Sequence, residues 1–190
     1  MGNTKVLDLY KASVVESYTI NSKGAKVKDL NKADAEIITT SELKKQNRFI
    51  KNGQEFEVPV YKLNHNGEEV YVLPVYGAGL WGPVWGYIAY KSDLKTIIGA
   101  YFDHESETPG LGGKIKETPF QTLFEGKSVD FTDAKPFAIV KGGANGKANA
   151  IDAISGATMT SNGVDEAINN WLKAYKPFFA AVPATNNEEE

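Results

Sequence analysis

The chain has 190 residues, 42% of them hydrophobic and 24% charged, with a net charge of −3: enough for one globular domain with a real core, and without the basic, aromatic-studded cluster that grips a nucleic acid. Cysteine is absent, which excludes disulfides, thiol nucleophiles, iron–sulfur ligation, thiolate zinc sites and thioether haem attachment, so redox chemistry needs a borrowed cofactor. The two histidines, His65 and His104, lie far apart in sequence; a multi-histidine metal site is excluded, and each reads as a surface or hydrogen-bonding residue.

Residues 5–18 place Val6, Leu9, Tyr10, Ser13, Val14 and Ser17 at helical spacings, predicting an entry helix with one modest apolar face. "TINSKGAKV" reads as strand, Gly24 turn and strand, and "ADAEIITTSELKKQN" as helical in parts. From residue 55 the pattern becomes period two and rich in β-branched and aromatic residues: "EFEVPVYKL", "EEVYVLPVY", "VWGYIAYK" and "LKTIIGAYFD" predict four strands of an antiparallel meander. "NHNG" and "SD" are its turns. Pro59 and Pro74 interrupt ladders and are expected at edges or bulges, while Trp85 and Tyr87 are expected to alternate into the core.

After the glycine-rich "ETPGLGGK", Thr118 is the expected cap of a short helix, with Pro119 at its first position and Gly126 near its end. "KPFAIV" predicts another strand and "KGGANGKANA" a loop. Val164, Ala167, Ile168, Trp171, Leu172 and Tyr175 follow a helical stripe, predicting a helix that starts near Thr160, Ser161 or Asn162 and stops at Pro177. The fold class this predicts is α+β: a twisted, mainly antiparallel sheet with flanking helices. Its organisation is a membrane-proximal helix over residues 1–20, one domain over 21–183 and a solvated tail over 184–190. No window approaches the run of about 18 to 20 apolar residues that spans a bilayer.

The stretch "DAISGATMTS" precedes the last helix. One hydroxyl caps a helix, so Ser155, Thr158 and Thr160 form a surplus on a small-residue turn, at a helix end whose free N–H groups favour an anion. A bound phosphate fits that surplus, and so does a plain Ser/Thr-rich turn.

The segment Asp152-Ala153-Ile154-Ser155-Gly156-Ala157-Thr158 resembles the flavinylation motif of the FMN-binding domain family. "GAGLWGPVWGYIAY" and "FDHESETPGLGGKI" resemble further blocks of that family, in the same order. The resemblance implies a single FMN-binding domain with FMN joined by a phosphoester to Thr158, delivered from FAD by a separate flavin transferase. Asp152, Ser155, Gly156, Ala157 and Thr160 belong to the attachment segment, and Gly156 with Ala157 leaves room for the transferase to dock. Thr108 is the expected hydroxyl partner of the isoalloxazine, Leu111 its apolar wall, and Gly112 and Gly113 places where backbone comes close; Leu80 and Trp81 are expected near the ring.

The Leu80-Trp81-Gly82-Pro83 version of the first block most resembles the C subunits of bacterial sodium-translocating NADH:quinone reductases. The alternatives are the G subunits of Rnf-type ferredoxin:NAD oxidoreductases and an assembly module that carries no flavin. The implied role is electron carriage within a membrane complex, with no catalytic residue and no metal ligand of its own. Members begin with a membrane helix that this sequence lacks, so the Met1-Gly2 start is expected to mark a soluble fragment, made inside the cell and lacking its flavin. The intact protein is expected in the inner membrane, its domain on the periplasmic side beside the other subunits. For the structure, this reading predicts an open groove between "DAISGATMT" and "ETPGLGGK", with an accessible Thr158 at the start of the last helix.

Overall fold

β-branched and aromatic residues at period two build a six-stranded antiparallel sheet in the computed structural model, which describes residues 13–30 and 38–182. Its strands are β1 (Val14–Asn21), β2 (Lys26–Asp29), β3 (Glu57–His65), β4 (Glu68–Ala78), β5 (Pro83–Lys91) and β6 (Ile97–His104), in the order β2-β1-β3-β4-β5-β6. The fold is α+β. β3 to β6 are the expected meander, and the turn between β3 and β4 has positive φ at both Asn66 and Gly67, the backbone that suits the right-handed twist of a two-residue hairpin. Between β5 and β6, Asp93 accepts hydrogen bonds from the Lys95 and Thr96 amides at 2.7 and 2.8 Å.

Residues 14–21 are strand, not the second half of a helix. Val14, Ser17, Thr19 and Ile20 are buried, and β1 pairs along β3 from Val14↔Leu63 to Asn21↔Glu57; a sheet partner outweighs a weak helical period. Residues 1–12, the rest of that expected helix, lie outside the described residues, as does the tail over 184–190. The first described helix is α1 (Thr40–Lys51), where Thr39 caps by accepting from the Glu42 amide.

Pro59 and Pro74 sit in interior strands, at neither the edge nor the bulge expected of them. The β3–β4 ladder runs from His65↔Glu68 to Tyr61↔Val72 and stops there; carried two residues further, its register would set Pro59 opposite Pro74. Neither proline can donate to a ladder, so the two strands part where both would fail. Each keeps its other neighbour, Thr19 for Pro59 and Tyr87 for Pro74. The Tyr175 hydroxyl donates to the Pro59 carbonyl at 2.6 Å, filling the position the open ladder leaves. On β5 the core face is Val84, Gly86, Ile88 and Tyr90, with Trp85 and Tyr87 half-buried on the opposite face. Phe102 selects that face, because a Cβ on Gly86 would lie 2.5 Å from its ring.

Beyond β6 the chain forms a 3₁₀ turn (Gly112–Lys116), a short helix α2 (Thr118–Gln121) and a second 3₁₀ turn (Thr122–Phe124). The cap of α2 is Glu117, so Thr118 is helical and Pro119 second. Phe102, Phe120, Phe124 and Phe137 pack ring to ring, with Phe124 and Phe137 stacked at 5.3 Å. The strand expected in "KPFAIV" is β7 (Ala138–Val140), and it pairs in parallel with an unforeseen strand, β8 (Ala150–Asp152).

The last helix, α3 (Thr158–Ala181), buries the whole predicted stripe. It starts earlier than expected and runs through Pro177 to Ala181. An interior proline forfeits one helical hydrogen bond, but Phe178 packs edge-on to Tyr18 and Tyr71, and Phe179 to Tyr90 and Phe131, which holds the final turn. At the other end α3 lies hard against β4: a Cβ on Gly163 would fall 2.2 Å from the Ala78 carbonyl. Trp171 ties α3 to both neighbours, donating to the Tyr76 carbonyl at 2.9 Å and to Asn47 at 3.1 Å. Among the described residues no helix is long and apolar enough to cross a membrane.

Candidate functional site

The close seating of α3 on β4 brings its first turn beside the β4–β5 connection. β8 feeds the segment 153–157, and the buried Ser161 hydroxyl accepts the Ile154 amide at 3.1 Å, fastening the segment to the helix it enters. Gly156 has φ +78, a turn that favours glycine. Ala157 precedes α3, and no side chain caps the helix. Its first backbone bond joins the Ser161 amide to the Ala157 carbonyl at 3.0 Å, so the amides of Thr158, Met159 and Thr160 stand ahead of any helical acceptor. Thr158 is half-buried and its hydroxyl engages no other described residue; Ser155 and Gly156 are exposed.

The second loop leaves β6 at His104, whose Nδ1 accepts the Glu107 amide at 3.1 Å. The Thr108 carbonyl accepts from both Leu111 and Gly113, at 3.1 and 2.9 Å, closing the glycine-rich turn on itself. Thr108 and Leu111 are exposed, whereas Gly112 and Gly113 are buried. Leu111 lies over Gly156, where a Cβ would be 3.3 Å from its Cδ2. The two segments are therefore on one side of the molecule and touch, rather than flanking an open groove. The third loop, between β4 and β5, is closed by the Gly79 amide on the Gly82 carbonyl at 2.7 Å. It presents Leu80 at 47% and Trp81 at 65% exposure.

Glu107, absent from the expected site, joins its own loop to the β4–β5 connection and to the first turn of α3. Its carboxylate is buried, at 3% exposure. Oε1 accepts the Trp81 amide at 2.8 Å, and Oε2 accepts the Thr160 hydroxyl at 2.5 Å. Both approaches need glycine, since a Cβ on Gly79 would lie 2.4 Å from Oε1 and one on Gly112 2.3 Å from Oε2. The signal for it was an acidic residue opening an otherwise small and apolar block. Met159, between Thr158 and Thr160, is 61% exposed and was also overlooked.

Two expected site residues face other tasks. Thr160 is buried and gives its hydroxyl to Glu107, because it lies on the row of α3 that meets the sheet. Asp152 is exposed, and its Oδ1 accepts the Ala144 amide at 2.6 Å, closing the loop before β8. The other ten, Thr158, Ser155, Gly156, Ala157, Thr108, Leu111, Gly112, Gly113, Leu80 and Trp81, lie on the three loops joined through Glu107. Around Thr158 these loops offer free hydroxyls, free amides and the exposed apolar side chains Leu80, Trp81, Leu111 and Met159. That set suits a ligand with an anionic end and a large apolar ring. A separate cavity of about 870 Å³ opens between α1 and the β4–β5 connection, lined in part by Lys44, Arg48, Lys51 and Leu80. Tyr76 also lines it, and burial, with the Glu105 charge, pushes its hydroxyl pKa up.

Residues 79–173 match the FMN-binding domain family. The chain is 38% identical over 129 residues to the C subunit of the Na(+)-translocating NADH-quinone reductase of Vibrio vulnificus (strain YJ016), a match covering 65% of this chain and 51% of that protein. It therefore spans about half the length of that relative. With the C subunit of the Vibrio parahaemolyticus serotype O3:K6 reductase it shares 32% identity over 184 residues, covering 94% of this chain and 70% of the other. Its fold superposes on the crystal structure of the corresponding C subunit from Parabacteroides distasonis ATCC 8503 with a TM-score of 0.79 and 34% identity, over 95% of this chain and 85% of that one.

Proposed function

This chain belongs to the FMN-binding domain family, and from that premise we propose that it is a one-cofactor electron carrier whose FMN is joined to Thr158 by a phosphoester. The observation that carries the reading is the position of Thr158: an accessible hydroxyl at the uncapped start of a 24-residue helix, within a ring of loops that leaves four apolar side chains exposed. When bound, FMN supplies the reversible electron uptake that this cysteine-free chain has no group of its own to perform. The chain's residues bind and orient. The amides of Thr158, Met159 and Thr160 and the positive end of α3 stabilise the phosphate, and Leu111 and Trp81 supply apolar surface for the ring faces. Thr108 offers a hydroxyl to the polar edge.

Attachment needs a separate flavin transferase, because an unaided threonine hydroxyl is a poor nucleophile. Thr158 Oγ1 attacks the flavin-side phosphorus of FAD, a phosphoester bond forms as the pyrophosphate bond breaks, AMP leaves and the hydroxyl proton is released. By likeness to the C subunits, the carrier works inside a sodium-translocating NADH:quinone reductase, accepting electrons from one membrane subunit and passing them to another, on the periplasmic side of the inner membrane. It is not a catalyst alone.

Incubating the chain with FAD and a flavin transferase is expected to add the mass of FMN less one water. Thr158→Ala is expected to abolish the addition and keep the fold by circular dichroism, since the side chain is half-exposed and unbonded. A Thr158→Ala chain that still gains the flavin mass would overturn the assignment.

A further inference from the structure

Glu107 carries a carboxylate that folding takes almost wholly out of water, a cost repaid only when its oxygens are satisfied. Here its two oxygens take donors from a loop and a helix, the Trp81 amide of the β4–β5 connection and the Thr160 hydroxyl of the first turn of α3, while His104 Nδ1 holds the Glu107 backbone amide. Those donors lie 26 and 53 residues from Glu107 in sequence. Trp81 carries one apolar wall, and Thr160 is two residues beyond Thr158 on the same helical turn. Gly112 lies against Oε2 and the Thr160 hydroxyl, and its neighbour Leu111 forms the other wall. One carboxylate thus sets the distance between the attachment point and the ring surfaces.

We infer that Glu107 is the positioning residue of the flavin site, fixing Thr158 relative to Trp81 and Leu111; this rests on the flavin-carrier reading. It acts through hydrogen bonds and touches no reacting atom. Hydrogen-bond geometry predicts an ordered series of variants. Glutamine has nearly the same volume, keeps an oxygen for the Trp81 amide and turns an NH₂ toward the Thr160 oxygen, which can accept in place of donating. Alanine loses both links, and aspartate, one methylene shorter, cannot span them.

The test has two arms. In the unloaded chain, hydrogen exchange of the Trp81 amide reads the link directly, because that residue is otherwise exposed; Glu107→Ala should speed exchange about tenfold or more, and Glu107→Gln should restore most of the protection. In the presence of FAD and a flavin transferase, Glu107→Ala should slow mass gain at Thr158 by roughly tenfold to a hundredfold, the scale of a misplaced reacting group, with Glu107→Gln close to the original chain. The flavin's visible spectrum in whatever fraction loads should shift in the alanine variant and not in the glutamine variant. A folded Glu107→Ala chain that loads at the original rate, or keeps a protected Trp81 amide, overturns the inference. Should Glu107→Ala fail to fold, Thr160→Val decides: it keeps the Trp81 link and cuts the one to α3, so an unchanged loading rate overturns the inference as well. An unsubstituted chain that takes no flavin would overturn the carrier reading and this role with it, whereas equal loading of the original and alanine chains overturns the role of Glu107 alone.

Discussion

Gly112 occupies a space that no other residue can enter without moving buried polar atoms. Its missing Cβ would lie 2.3 Å from Glu107 Oε2 and 2.4 Å from Thr160 Oγ1, and those atoms cannot swing aside because they are bonded to each other. Gly112→Ala is therefore expected to lower stability by about 1–3 kcal/mol, as overpacking does, and to slow flavin attachment although Thr158 is intact; urea midpoints and timed mass gain measure the two effects. An unchanged midpoint would mean that the three loops give way at no cost. Thr158, Leu111 and the glycines stand out in the sequence as candidates, because motif chemistry is written in neighbouring residues. Glu107 shows in the sequence only as an acidic residue opening an apolar block; its role depends on a backbone amide and a hydroxyl contributed by distant parts of the chain.

At the scale of elements, two prolines and one tyrosine show how a local rule is met by an unforeseen arrangement. Proline cannot donate to a ladder, and the expectation of edge strands followed from that. The sheet instead pairs the two defects across β3 and β4 and lets Tyr175, from α3, serve the Pro59 carbonyl. Tyr175→Phe keeps the packing and leaves that buried carbonyl without its partner, so a loss of about 1–3 kcal/mol is expected in chemical denaturation. A loss near zero would show that the carbonyl finds another donor. The meander β3 to β6 and the apolar stripe of α3 were legible, because their periods run for eight residues or more. β1 reads as helix in the sequence since Val14 and Ser17 stand at a helical i, i+3 spacing, and only the register shift between Val14 and Glu16 lets a strand bury both; β8, three residues long, is too brief to carry a period at all.

Across the whole molecule, α3 is a strut with the proposed flavin site at one end and an aromatic anchor at the other. Its 24 residues span about 36 Å at the helical rise, and Phe178 at the far end is 4% exposed against Tyr18 and Tyr71. Phe178→Ala is expected to cost about 3–5 kcal/mol while leaving the spectrum of the attached flavin unchanged below the melting transition. A shifted spectrum would show that the anchor also tunes the site. What the sequence by itself determined was what repeats or abuts along the chain: four strands of the sheet, the buried stripe of the last helix, the order of the three blocks and the surplus of hydroxyls before that helix. Only the tertiary structure decided that β1 is a strand, that two prolines share one gap, that Thr160 and Asp152 serve the scaffold, and that Glu107 holds the loops together. Each of these depends on which distant groups meet after the chain closes on itself, and hydrogen bonds between residues far apart in sequence leave no local period to read.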